Sequence, residues 1–257
     1  MQIGILIVGS LYWDGSAIRC QWRRDRLGCS GKRRVRVPIR YGRRSTSRGN
    51  TFTMVFARSC SSADRLGTGI VLPARAECCE PEHLVEEAEY LWAAERNSRS
   101  RAGIATTWGR VGLLHPPDRP LPEEFSRTWA QEVHAAGSHY REVPAAAGEE
   151  RLVDPVSGIA QFEWPTDAES HESLSGFDVL LLTATEPTLT NSQYSSAEEV
   201  AGAWRTDRNG HVSYFYNNRQ CGIKTFEDDE SRRRRRQRER RGSSRRLGIS
   251  DWRSHLE

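Results

Sequence analysis

The order of elements along this chain predicts an α+β fold on a mixed sheet, open or rolled into a barrel. Three observations carry that reading. Four strand candidates precede the first clear helix, which is the wrong order for a doubly wound alternation of strands and helices. No G-x-G-x-x-G follows the first strand candidate, Ile3 to Val8, so the glycine turn that receives a dinucleotide is missing. Asp178 to Thr183 (DVLLLT) is a continuous apolar run, as expected of a strand covered on both faces.

The elements follow in order. Ile3 to Val8 is apolar and is broken by Gly9-Ser10. Residues Arg19 to Arg34 are arginine-rich, carry Gly28 and Gly31, and read as a loop with at most a short helix. Val35 to Tyr41 (VRVPIRY) alternates like a half-buried strand, with Pro38 assigning it to an edge or a bulge. Gly42 to Gly49 reads as a polar loop. Thr51 to Phe56 and Gly69 to Leu72 are further strands. A helix runs from Pro81 to Asn97, with Pro81 suited to its first turn. Thr106 to Leu114 reads as a strand, and Pro122 to Ala135 as a helix with Phe125, Trp129 and Val133 on one face. Gly137 to Glu172 is weakly patterned. Ser196 to Thr206 opens on a capping box, Ser196 with Glu199, and buries Val200, Ala203 and Trp204. Val212 to Tyr216 (VSYFY) reads as a last strand. Ser231 to Arg246 has no apolar residue and cannot offset chain ordering by burial. The expected organisation is one domain over 1–230 and a disordered arginine-rich tail over 231–257.

Composition narrows the function classes. Of 38 basic residues only Lys32 and Lys224 are lysines, an arginine bias that by itself says nothing of nucleic acid. The tail has five arginines in a row but no aromatic among them to stack on bases, so weak, non-specific nucleic-acid contact is all it predicts. The mean hydropathy is −0.69, and Ile3 to Val8 is too short for an export signal or a membrane span. A cytoplasmic chain without membrane contact is expected. The cysteines Cys20, Cys29, Cys60, Cys78, Cys79 and Cys221 form no C-x-x-C, and the histidines no H-E-x-x-H. Reduced thiols, no metal and no cofactor are expected.

One carboxylate stands out. In the helix PEHLVEEAEYLWAAERN the apolar stripe is Leu84, Ala88, Leu91 and Trp92, and Glu95 continues the same count. Glu86 and Glu89 point away, and Glu87 sits at the stripe's edge. A carboxylate on a buried face must be paired, hydrogen-bonded or neutral. Glu95 either pairs with an arginine such as Arg96, Arg99 or Arg101, turns to water, or is held for chemistry. Two further features are candidates to meet it. The turn Gly9-Ser10-Leu11-Tyr12 offers backbone amides to an anion, and the stretch from Arg40 to Arg48 offers Arg43, Arg44 and Arg48 with hydroxyls. Ser10 lies in no G-x-S-x-G elbow, which argues against a serine hydrolase.

Together ILIVGSLYWD and LWAAE resemble the gamma-glutamylcyclotransferase-like superfamily, in which a YGSL or YGSN turn follows the first strand and a glutamate stands late in a following helix. The resemblance spans Ile3 to about Leu114; Val8 stands where the family's tyrosine does, and Arg96 where a glycine is frequent. It implies a small mixed barrel with flanking helices, Gly9, Ser10 and Leu11 as substrate-binding, and Glu95 as the single acid/base that closes a gamma-glutamyl amine to 5-oxoproline. A non-catalytic binder of a small anion on the same fold is the alternative. The later stretches are similar to those of bacterial proteins that share this turn, and no chemistry is assigned to them.

Overall fold

The computed structural model describes residues 1–28, 30–141, 148–206 and 210–228. The chain opens with β1 (Ile3–Ile7), every residue of it buried. The segment expected as a loop holds α1 (Ala17–Arg26), which buries Arg19 and Trp22. A sequence window this rich in arginine hides its helix, because only Trp22 supplies apolar burial on that face.

The stretch expected as one strand is two, β2 (Arg33–Val37) and β3 (Ile39–Ser45), parted at Pro38. Proline has no N–H to give to a ladder, and the chain changes partner there. β3 pairs with β4 (Thr51–Phe56), whose bounds are those the sequence suggests, to make a separate ribbon. The first half of the expected polar loop, Gly42 to Ser45, is therefore strand, and a 3₁₀ turn over Thr46–Arg48 follows it. Next come β5 (Gly67–Pro73), α2 (Pro81–Glu95), the hairpin β6 (Ala105–Thr106) and β7 (Gly109–Leu114), α3 (Glu123–Ala135), α4 (Ser138–Arg141), β8 (Thr166–Asp167), β9 (Val179–Thr185), α5 (Ala197–Thr206) and α6 (Gly210–Cys221).

The main sheet has seven strands in the order β6-β7-β9-β1-β5-β2-β8. β1 is central, parallel to β9 and antiparallel to β5, with Gly4 opposite Leu180 and Pro73. The sheet is mixed and the class is α+β. It is not rolled shut: β6 and β8, two residues each, end it, and the β3–β4 ribbon stands apart. Short edges of this kind limit pairing with other chains.

Helix α2 packs on β7, β9, α1 and α3. Leu84, Ala88, Leu91 and Trp92 are fully buried, as the stripe predicts. Glu87 is more enclosed than its edge position suggests, at 3 % exposure, and takes a hydrogen bond from Arg26. Burial pushes the Glu87 carboxyl up and Arg26 opposes it. The helix stops by a Schellman arrangement: Ser98 N–H reaches Ala93 O at 2.9 Å, Asn97 N–H reaches Ala94 O at 3.1 Å, and Asn97 has φ +51°. This termination fixes Glu95 in the last helical turn.

Helix α5 shows its capping box, with Ser196 N–H on Glu199 Oε2 at 2.7 Å and Glu199 N–H on Ser196 Oγ at 3.2 Å. Val200 and Ala203 are buried; the expected burial of Trp204 rests on a side chain outside those described. The expected strand Val212 to Tyr216 is instead part of α6. Its run of β-branched and aromatic residues suggests a strand, but His211, Tyr214, Phe215 and Asn218 are buried at i, i+3, i+4 and i+7. Packing that stripe beside β4 decides the conformation over local propensity. The tail over 231–257 lies outside the described residues. Among those described, no helix is long and apolar enough to cross a membrane.

Candidate functional site

The turn after β1 is held from behind by α1. Arg23 gives hydrogen bonds to Leu11 O and Asp14 O, both at 2.6 Å, and Arg19 reaches Ser10 Oγ at 3.4 Å. The amides of Tyr12, Trp13 and Asp14 fold back on the carbonyls of Gly9 and Ser10. Among the described residues no acceptor takes the amides of Gly9, Ser10 and Leu11. The turn has thus used its carbonyls and kept three donors, the state required to receive an anion.

Arg19 also ties this turn to α2. Its Nε donates to Ala94 O at 3.0 Å and its Nη2 to Glu95 O at 2.8 Å. A cation on the last carbonyls of a helix satisfies orphan acceptors and the helix dipole together. Asp14 completes the frame, pairing with Arg19 at 3.2 Å and with Arg48 from the β3–β4 ribbon, and accepting Ser16 N–H at 2.9 Å. Burial alone would raise the Asp14 carboxyl. The hydrogen bonds from Arg48 and Ser16 and the charge of Arg19 outweigh it and hold the group well below the usual carboxylate range.

These supports enclose a cavity of about 740 Å³. Ser10 and Leu11 of the turn line it, as do Glu95 at the end of α2, Arg43, Thr46 and Arg48 of the ribbon, and Thr183 and Thr185 of β9. Thr183 Oγ1 donates to Glu95 Oε2 at 3.2 Å. No arginine stands within ion-pair distance of the Glu95 carboxylate among the described residues. Of the partners the sequence offers it, Arg96 bonds Ser100 O and Arg101 bonds Glu86. Glu95 is half-buried and faces the cavity rather than the centre of the apolar contact.

Arg43 owes its aim to a β-bulge, a register shift between Tyr41 and Arg43. Gly42 permits that bulge, because a Cβ there would stand 2.4 Å from Val55 Cγ2. The Arg43 guanidinium lies 4.3 Å from the centre of the Trp108 ring. Burial lowers its pKa, and the charges of Glu95 and Glu186 oppose this. Among the described residues no carboxylate is close enough to pair with it. Arg44 points elsewhere, exposed and stacked over Phe52 at 4.1 Å. Tyr12 is also off the cavity wall, under Lys32 at 4.6 Å. Of the residues singled out in the sequence, Ser10, Leu11, Arg43 and Glu95 line this one cavity, Gly9 is buried behind its wall against the Tyr214 hydroxyl, and Tyr12 and Arg44 lie elsewhere.

Asp14, Trp108, Thr183 and Tyr214 are lining residues that sequence reasoning did not single out. The signal for Thr183 was present, since it is where the apolar run DVLLLT turns polar. Among the described residues no cluster of three metal-ligating side chains exists, and Cys20, Cys60, Cys78, Cys79 and Cys221 are free thiols.

Gly9 cannot carry a side chain here. Its φ is +95°, and a Cβ would stand 2.4 Å from the Tyr214 hydroxyl. Gly9→Ala is expected to cost about 1–3 kcal/mol by overpacking, with backbone strain in addition. Urea unfolding of the variant checks this; an unchanged midpoint would contradict the packing described. Comparison with protein-family models, curated proteins and solved structures finds no match to this chain.

Proposed function

We propose that the chain is a gamma-glutamylcyclotransferase-like enzyme that closes a gamma-glutamyl amine to 5-oxoproline and releases the amine. The observation that supports this most is that the Glu95 carboxylate, outside ion-pair distance of every arginine among the described residues, lines one cavity with Ser10 and Leu11 of the Gly9 turn, whose amides have no acceptor among those residues. The substrate's α-carboxylate rests on the Gly9, Ser10 and Leu11 amides. Its neutral α-amine attacks the side-chain amide carbon; a C–N bond forms to close the ring, and the bond to the leaving amine breaks. Glu95 takes the proton from the attacking nitrogen and returns it to the leaving one, so the carboxylate ends as it began. A volume of about 740 Å³ is in the range that encloses a whole small ligand, and Arg43 is available to an anionic part of it.

The test is to incubate the protein with a panel of gamma-glutamyl amines and quantify both products. Equal amounts of 5-oxoproline and free amine are expected. The second reading, a non-catalytic binder of a small anion, is favoured by one observation: Arg43 and the turn amides are binding groups whether or not Glu95 reacts. Saturable binding with no 5-oxoproline formed would select it.

The two arginines offered by the sequence now make different predictions. Arg43→Ala should weaken ligand binding about 10–100-fold, the loss of one charged hydrogen bond. Arg44→Ala should leave it unchanged. Isothermal titration of both variants checks this, and equal effects would remove Arg43 from the site.

A further inference from the structure

Tyr214 enters the cavity from α6, far along the chain from the turn it meets. Its hydroxyl lies against Gly9, whose missing side chain makes the room. The ring packs edge-on to Trp13 with centroids 5.8 Å apart. The Trp13 indole in turn donates to Asn218 Oδ1 at 2.7 Å, one helical turn after Tyr214. The phenol is therefore held by the turn, by Trp13 and by its own helix.

A phenol has one proton to give and lone pairs to receive. Met54 N–H donates to the Tyr214 oxygen at 3.1 Å, which uses its acceptor side. No acceptor among the described residues takes its proton. Burial pushes the phenol up to about 12, against the pull of Met54 N–H and the Asn218 side chain, so it stays protonated at neutral pH. A buried donor without an acceptor is costly, and a ligand oxygen in the cavity removes the cost. The Tyr214 hydroxyl stands beside Gly9, so a ligand oxygen that takes its proton lies next to the turn whose amides are without an acceptor among the described residues.

We propose that Tyr214 is a substrate-binding residue, donating its hydroxyl proton to a carboxylate oxygen held at the Gly9 turn. The proposal rests on the gamma-glutamyl reading of the cavity. It gives the anion site a fourth donor, from a helix outside the segment that carries the turn and Glu95. Such a contact exists equally in the ground and transition states, so it acts on KM rather than on kcat.

The experiment is steady-state turnover of gamma-glutamyl amines by the full chain and its Tyr214→Phe variant. KM should rise about 10–100-fold, the loss of one hydrogen bond to a charged group, with kcat little changed. Tyr216→Phe, on the exposed side of the same helix, should match the wild type. Because Phe also strands Met54 N–H, a second arm replaces Tyr214 by a ring-fluorinated tyrosine. That residue keeps the hydroxyl and the Met54 contact but ionises at lower pH, so the alkaline rise in KM should move to lower pH. Unchanged KM in Tyr214→Phe, or an unmoved alkaline limb in the fluorinated protein, would overturn the role of Tyr214 while leaving the cavity's function standing. Absence of both binding and turnover in the wild type would overturn both.

Discussion

Glu95→Gln should abolish most turnover and leave the protein folded. The amide matches the carboxylate in size and still accepts a hydrogen bond from Thr183, which stands 3.2 Å away. It cannot shuttle a proton. Loss of a general acid/base typically lowers the rate by about 10²–10⁴-fold. Stability should hold, because among the described residues no arginine stands within ion-pair distance of the Glu95 carboxylate. The paired readout is 5-oxoproline formation and melting temperature on one preparation. A folded variant with wild-type turnover would remove Glu95 from the chemistry. A large fall in melting temperature would show that its carboxylate is structural.

The largest loss of stability is expected from Asp14→Ala. This one side chain joins the turn, α1 and the ribbon by pairing with Arg19 and Arg48. Removing one partner of a fully buried pair costs about 3–5 kcal/mol, and less where solvent reaches the pair, as it does at Asp14 and Arg48. The loss here is reduced further, since Arg19 keeps the carbonyls of Ala94 and Glu95. The pH dependence has a definite sign. The Asp14 pKa is depressed on folding, so its contribution is fully present above the unfolded value of about 4 and is lost as pH falls toward the folded value. Wild type and variant should therefore differ by a constant amount near neutrality and converge in acid. Chemical denaturation at a series of pH values measures this. A difference that persists undiminished well below pH 4, or grows in acid, would contradict the ion-pair account.

Much of this architecture is legible in the sequence, for identifiable reasons. The α2 stripe and the capping box of α5 are local patterns, and local hydrogen bonds realise them. The turn at Gly9 and the late glutamate are likewise short-range features, and the sheet that brings them together has β1 at its centre. What escaped is non-local. Pro38 is visible as an interruption, but the interruption moves the chain from one sheet to another, and pairing partners are not written in the spacing. Arg43 and Arg44 are indistinguishable as adjacent arginines; the bulge after Tyr41 separates them. VSYFY has the composition of a strand. Only the wider stripe His211, Tyr214, Phe215 and Asn218 reveals the helix, and Tyr214 is part of the cavity because of it. Asp14 looks like a residue at the end of a turn until Arg19 and Arg48 arrive from two other elements.

The central claim is that the Gly9 turn and Glu95 are two sides of one ligand site. It is tested most directly by titrating isotope-labelled protein with 5-oxoproline and following backbone amide and side-chain carboxyl resonances together. The account predicts that the amides of Gly9, Ser10 and Leu11 and the Glu95 carboxyl carbon move with one common saturation curve, while the amide of Arg44 stays still. Shifts confined to the turn, with the Glu95 carboxyl unmoved at saturation, would contradict it.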